Sequence, residues 1–463
     1  YFICCSECKI PSLTLNTYFS NMEMKAFSFA KVFITKYKDN LLFKRLLTVL
    51  SIDILVKLSG IILLPVYLRL MTQEEYGLYG YLVSIILTFS LVLNFGLYIP
   101  LSKFYHDYDS EEKGHLLFTI FALLAGTLLC VILPIYYFNL DYQIVKILFK
   151  NPINYSYYRS TVLLAIIVSV LNFMLINFFF TSEKLTYLKK YNIWRIISIN
   201  LITVGALYLL KNKDSVRVRL ESTYIIESIL FLVFSFAYIK EMKPSFHKKV
   251  AVASLKLALP IMMSAIFGIV INFGDKFFLE KYGSFKDLSY YYLAVSCASV
   301  IPTIFVSFQN AWLPLFLKEK NLQKNITKTN KLILRLFIGL SILSLCIVVF
   351  LKIILLLGII QAKYLQSVFI LPILLISQIF SALVPLYTNY LVYFEKTYIT
   401  SITGLTLCGI SFGLSILLIP RYGVYGAASV SLVCNMSYLI IYYFIIKTYT
   451  KKLLILNYPV VQQ

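Results

Sequence analysis

Charge is what this chain has least of. Charged residues make up 14% of its 463 positions, where soluble domains carry about a quarter, and that excludes an ordinary soluble enzyme. Metal chemistry has little to start from. His106, His115 and His247 are scattered in or beside loops, and no CxxC pair or Cys/His cluster marks a zinc site or a disulfide framework. Cys130, Cys297, Cys346, Cys408 and Cys434 fall inside apolar runs, where cysteine behaves as a small apolar residue. A glycine-rich phosphate loop of the GxxxxGKS/T type is missing, which argues against nucleotide hydrolysis by this chain. Long polar loops are missing too, so no room exists for a catalytic domain. The segment Tyr1–Asn21 resembles nothing downstream; translation is expected to start at Met22 or Met24, and no cleavable signal peptide is expected.

Apolar length is what the chain has in abundance: 60% of residues are hydrophobic, with a mean hydropathy of +0.81. About 20 apolar residues suffice to cross a bilayer as a helix. Hydropathy predicts twelve such spans, at 46–68, 77–100, 115–138, 160–181, 190–210, 222–239, 255–278, 289–317, 332–357, 364–393, 397–419 and 423–446. The expected fold is therefore an all-α polytopic membrane protein with about 12 transmembrane helices, in two six-helix halves around a central cavity. Expected boundaries are a tail at 1–43, a first half at 44–240, a basic linker at 241–253, a second half at 254–447 and a tail at 448–463. The net charge of +22 is read by loop. Placing both tails on one side gathers roughly twice as many Lys and Arg there as opposite, which predicts cytoplasmic termini. Attraction to anionic lipid accounts for such an excess, and no basic soluble module is present to bind nucleic acid. A faint repeat supports the division: Tyr79-Gly80-Tyr81-Leu82-Val83-Ser84 opens span two as Tyr291-Tyr292-Leu293-Ala294-Val295-Ser296 opens span eight, and Ile99-Pro100-Leu101 matches Leu313-Pro314-Leu315 near their inner ends.

Ionisable residues inside spans stand out, because each costs about 2.5–3.5 kcal/mol at the bilayer centre. Asp53 and Lys57 sit at i and i+4 in span one and can neutralise one another on one helix face. Two readings stay open for the pair: a transport site, or a link holding helices together. Arg195 lies in span five, a turn or two from the expected cytoplasmic side; Glu227 in span six, one or two turns from the outer side. Asp275 and Lys276 adjoin near the end of span seven and point about 100° apart.

The stretch Leu64-Pro65-Val66-Tyr67-Leu68-Arg69-Leu70-Met71-Thr72-Gln73-Glu74-Glu75-Tyr76-Gly77-Leu78-Tyr79 resembles the first-loop signature of bacterial polysaccharide flippases. These form the polysaccharide-transport (O-antigen and capsule flippase) branch of the multidrug/oligosaccharidyl-lipid/polysaccharide exporter superfamily. Ile419-Pro420-Arg421-Tyr422-Gly423-Val424-Tyr425-Gly426-Ala427-Ala428 is similar to that family's last-loop pattern. Asp275-Lys276 is similar to its Asp-Arg or Asp-Lys step, and Ala311-Trp312-Leu313-Pro314 to the close of its span eight. With the twelve-span, six-plus-six layout, the resemblance covers about residues 40–450.

The resemblance implies a flippase of the bacterial inner membrane, not an enzyme. Its substrate would be an undecaprenyl-diphosphate-linked oligosaccharide for O-antigen, capsule or another surface polysaccharide, including lipopolysaccharide. No cofactor or metal is implied; coupling to H+ or Na+, a polysaccharide polymerase and a chain-length regulator are the implied partners. Under that reading Lys57, Arg195 and Lys276 are substrate-binding candidates for the diphosphate, and Asp53, Glu227 and Asp275 are candidates for ion coupling or gating. Competing readings are a drug antiporter of the same superfamily, a polysaccharide polymerase or glycosyltransferase, and a peptidoglycan-precursor flippase. Cations in spans argue against the first, the lack of a large outward loop against the second, and the absence of extra spans against the third.

Overall fold

A computed structural model of the chain describes residues 41–455 apart from 211, 212, 320, 395 and 397; the side chains of Asp53, Asn310, Pro314 and some other helical residues lie outside the description as well. The described residues of the compact unit Ile52–Gln463 are helical, with no strand. The helices are α1 Leu41–Leu70, α2 Gln73–Leu93, α3 Tyr98–Asp107, α4 Ser110–Tyr137, α5 Leu140–Leu148, α6 Tyr155–Thr181, α7 Leu185–Leu209 and α8 Ser215–Ile239. They continue as α9 Lys248–Tyr282, α10 Phe285–Ala298, α11 Val300–Lys318, α12 Leu322–Leu356, α13 Gln366–Tyr393 and α14 Tyr398–Ile455. Among the described residues nine stretches are long and apolar enough to cross a membrane. Gly423, at φ 53° and ψ −125°, divides the last of them into two helices. Together with α1 and α9, which are 30 and 35 residues long, this makes twelve crossings. Hydrocarbon offers no partner to open backbone groups, so helices are the form such runs must take.

The two halves, α1–α8 and α9–α14, repeat one another at their starts. Thr72 caps α2 through a reciprocal pair of bonds with Glu75, and Ser284 caps α10 through the same pair with Asp287. The span that each cap opens is then broken. Span two is α2 plus α3, separated by Phe95 and Gly96 in left-handed conformation (φ 52° and 68°). Span eight is α10 plus α11, separated at Ser299. The breaks fall after 21 and 14 helical residues, so they lie at different depths. Both follow-on helices place proline third, at Pro100 and Pro302, where a missing N–H costs nothing.

α2 and α10 pack against each other across the halves at the end that carries the α1–α2 turn, here the hairpin end. A Cβ on Gly77 would stand 1.8 Å from the Phe285 carbonyl oxygen, and one on Gly80 would stand 2.4 Å from the Tyr292 ring. The closeness matters because apolar tails exert no hydrophobic drive between helices in lipid; close van der Waals packing supplies it. Tyr76 lies edge-on to Tyr292 and to Tyr364, with centroids 5.5 and 6.2 Å apart. Arg69 donates to the carbonyls of Gly358 and Ile359, and Gln73 to that of Lys363. Glu280, 1% exposed, accepts from the backbone N–H groups of Lys150 and Asn151 and from the Asn151 side chain, at 2.9–3.1 Å. At the opposite end the linker before α9 ties back to α4: Lys243 pairs with Glu111 at 2.8 Å, and the His247 N–H donates to Thr119 at 3.1 Å.

Two expected loops are structured. Phe138–Arg159 contains α5, which the hydropathy profile passes over because a 9-residue amphipathic helix has no spanning run. Lys211–Glu221, expected to be loop, is helical from Ser215, since Asp214 accepts from the Arg217 N–H and caps α8.

Replacing Gly77 with Ala is expected to destabilise the protein by about 2 kcal/mol or more, because overpacking against backbone has no cheap relaxation. Gly60→Ala, where nothing lies within 4 Å, is the control and is expected to be neutral or slightly stabilising. Thermal unfolding in detergent micelles measures both.

Candidate functional site

Arg195 and Glu227 come together. Each sits near the middle of a 25-residue helix, α7 and α8, and the guanidinium Nε donates to Glu227 Oε1 at 2.9 Å, with a second bond from its NH2 group. The expectation that they lie toward opposite membrane faces is therefore corrected: both helices begin several residues before the hydropathy boundaries, which brings the two charges to one depth. The carboxylate is the deeper partner, with side-chain exposures of 6% for Glu227 and 34% for Arg195. Asn172 of α6 donates to the Glu227 carbonyl at 3.5 Å. The buried Tyr191 hydroxyl next to the pair has no protein partner among the described residues.

Asp275 and Lys276 form a second knot, on α9. Although their Cα–Cβ directions differ by about 100°, the two side chains meet each other. Lys276 Nζ lies 3.2 Å from Asp275 Oδ1 and donates to the Asn272 carbonyl at 2.7 Å. The Tyr291 hydroxyl of α10 donates to the other carboxylate oxygen. Four carbons let the lysine side chain swing back along the helix, which Cα geometry alone does not convey. The knot is buried, with side-chain exposures of 14% and 10%.

Lys57 lies on α1 with its side chain half-buried. Asp53, its expected partner, has a side chain outside the described residues. Several polar side chains inside the spans serve the helices themselves. Asn177, Asn200 and Asn272 each donate to the carbonyl four residues back, while Gln309 bonds Asn389 at 2.8 Å and Asn435 bonds Ser377 at 2.9 Å. Asn94 differs. It is 2% exposed, at the break between α2 and α3, and neither of its side-chain polar atoms has a partner among the described residues.

Arg219 was missed in the sequence because it falls in what hydropathy leaves as loop. It lies one turn inside α8, nine-tenths buried, with its guanidinium carbon 3.8 Å from the Tyr67 ring centroid and 3.9 Å from that of Tyr79. The available signal was the cap: Asp214 followed by an uninterrupted helical run places Arg219 in the span rather than before it.

A broken-helix bundle of twelve crossings in two halves, with ion pairs inside it and no strand among its described residues, defines a polytopic membrane protein. Residues 42–320 match the family profile described as polysaccharide biosynthesis protein, and the chain belongs to that family. No curated protein matches it. Similar solved structures share the fold at low identity. An inward-facing multidrug resistance MATE family transporter of the MOP superfamily is 13% identical, with a TM-score of 0.63 over 88% of this chain and 98% of that one. The lipid II flippase MurJ, in an inward closed conformation, is 17% identical, with a TM-score of 0.64 over 85% of this chain and 87% of that one. A MOP superfamily transporter from Pyrococcus furiosus, whose binding pocket has reversed polarity, is 12% identical, with a TM-score of 0.57 over 88% and 94%.

Removing Glu227 alone strands a cation inside the helix bundle. Glu227→Ala is expected to cost about 2–3 kcal/mol, less than the ~3–5 kcal/mol of a fully buried pair because the Arg195 side chain is one-third exposed. Arg195→Met combined with Glu227→Met is expected to recover most of that loss. A double-mutant cycle on thermal unfolding reads the coupling.

Proposed function

We propose that the protein moves a lipid-linked oligosaccharide diphosphate across the cytoplasmic membrane by alternating access, for assembly of a surface polysaccharide such as O-antigen or capsule. The observation that carries the reading is the closed contact between α2 and α10 at the hairpin end. A carrier that opens to one side at a time needs one such seal at each end, made and broken in turn. With both termini cytoplasmic, as the loop charges predict, the closed end is the outer one, and the described conformation corresponds to loading from inside.

The family match supports the substrate class. The task is to keep sugars and a diphosphate out of hydrocarbon while the polyprenyl chain stays in lipid. Lys57, half-buried on α1, is the first candidate for the diphosphate. Arg195 is the second, and Glu227 then acts as a resident counter-charge that substrate displaces or that takes up a coupling cation. Asp275, bonded to Lys276 and to the Tyr291 hydroxyl, ties α9 to α10, and the pair suits gating better than substrate contact. Asp53 is retained as the proposed neutralising partner of Lys57. A polymerase and a chain-length regulator would act on the delivered unit.

The broken spans suit the same cycle. Left-handed residues at Phe95 and Gly96 and the interruption at Ser299 allow the hairpin-end segments α2 and α10 to tilt without unwinding α3 and α11. Cation-coupled drug export shares the fold, and the substrate itself separates the two functions.

Deletion of the gene is expected to abolish surface polysaccharide and to leave the lipid-linked unit on the inner leaflet. Complementation with Lys57→Ala or Arg195→Ala is expected to restore less than a tenth of wild-type polymer; full polymer from both variants would sink the diphosphate assignment. Glu74 and Lys286 face each other across the seal at 3.5 Å. The Glu74→Cys, Lys286→Cys double variant is expected to lose transport on oxidation and regain it with reductant, each single variant serving as control.

A further inference from the structure

Arg219 is a buried charge with little of its hydrogen-bonding capacity spent among the described residues. The other arginines of α6, α7 and α8 each hold a carboxylate: Arg159 with Asp141, Arg195 with Glu227 and Arg217 with Glu221. Arg219 holds none among the described residues. It is flanked by the faces of Tyr67 and Tyr79, with Tyr76 at 5.8 Å, and its one described N–H contact is to the Met71 sulfur at 3.4 Å. A guanidinium never deprotonates in a protein and presents five N–H donors, whereas a thioether is a weak acceptor. Aromatic faces stabilise a desolvated cation, but they leave those donors unfilled and a full charge unneutralised.

Location gives the charge a use. Tyr67 belongs to α1, Tyr76 and Tyr79 to α2, and Tyr76 meets Tyr292 of α10 edge-on at 5.5 Å. The guanidinium therefore lies behind the α2–α10 seal, with the Tyr76 ring between it and Tyr292. Outside it, next to Val216 and Leu78, is a cavity of about 510 Å³ whose lining includes Glu74, Glu75, Asp214, Tyr157 and Tyr158. Glu75 and Asp214 there, beside a Glu74 shared with Lys286, disfavour an anion arriving from the hairpin side, so an anion reaches Arg219 from the interior of the bundle.

We propose that Arg219, held between Tyr67 and Tyr79, is an oxyanion site at the exit end of the path, taking a phosphate-type group through its fork of N–H donors as the seal opens. Planar bidentate recognition of phosphate is what distinguishes arginine from lysine here. The acidic vestibule beyond then favours release outward over rebinding. That the anion is the diphosphate of a lipid-linked sugar rests on the flippase reading; the oxyanion site itself does not.

The test uses the full-length protein in nanodiscs, with inorganic diphosphate as the probe. Arg219→Gln is expected to weaken diphosphate binding at least tenfold, and Arg219→Lys by an intermediate factor, with thermal unfolding confirming that each variant is folded. In the wild-type protein, phenylglyoxal is expected to modify Arg219, and saturating diphosphate to slow that modification at least fivefold while leaving Arg217 unaffected. Unchanged binding in Arg219→Gln, or modification that diphosphate does not slow, overturns the site; so does an Arg219 that phenylglyoxal never reaches. Repeating the titration in phosphatidylglycerol and in phosphatidylcholine discs identifies the source of the anion. Competition by phosphatidylglycerol supports the site with a lipid headgroup as its ligand; equal binding in both supports it with the diphosphate. Diphosphate binding that depends on Arg219, in a protein that fails to move lipid-linked oligosaccharide, upholds the site and removes only the flippase reading.

Discussion

A charge taken out of water must be met by a counter-charge, a set of dipoles or an aromatic face, and most of what is specific in this bundle follows from how each buried charge is met. Glu227 meets Arg195, Asp141 meets Arg159, and Asp275 meets Lys276 and the Tyr291 hydroxyl. Glu280 meets no cation among the described residues and is held by neutral amides of residues 150 and 151 instead. That choice has a structural result. The carboxylate belongs to α9 and the amides to the α5–α6 loop, so neutralising one charge joins the two halves at the hairpin end.

Packing completes the same contact. Gly77 and Gly80 remove the side chains that would keep α2 away from α10, and the fully buried Tyr76, Tyr81, Tyr291 and Tyr364 fill the space around the crossing. A seal made of close backbone approach, ring edges and a few hydrogen bonds is strong only while its geometry is kept. Small tilts of α2 and α10 at their breaks forfeit most of it, which suits an element that closes and opens repeatedly.

The twelve crossings were legible because a bilayer demands long apolar runs, and that demand leaves a direct trace in composition. Repeat symmetry was legible only in part. The matching starts of spans two and eight reappear as matched capping boxes at Thr72–Glu75 and Ser284–Asp287, but the unequal distance from cap to break has no counterpart in hydropathy. Short amphipathic α5 left no spanning signal. Depth was read least well. Arg195 and Glu227, assigned to opposite faces, share one level, and Arg219, assigned to a loop, is buried inside α8. Hydropathy marks where apolar residues stop, whereas helices continue through polar turns until a cap ends them.

Composition and order of residues therefore settled the solvent this chain folds in, the number of its crossings and the family it belongs to, because those properties are sums over long segments. Partner choice among the charges was settled only by packing. A carboxylate at position 227 finds Arg195, 32 residues away, and one at 280 finds amides 129 and 130 residues away. Arg219 finds rings from two helices and, among the described residues, is left with unspent donors. Such contacts depend on which faces of which helices meet, and helix rotation about its own axis is set by neighbours rather than by the helix itself.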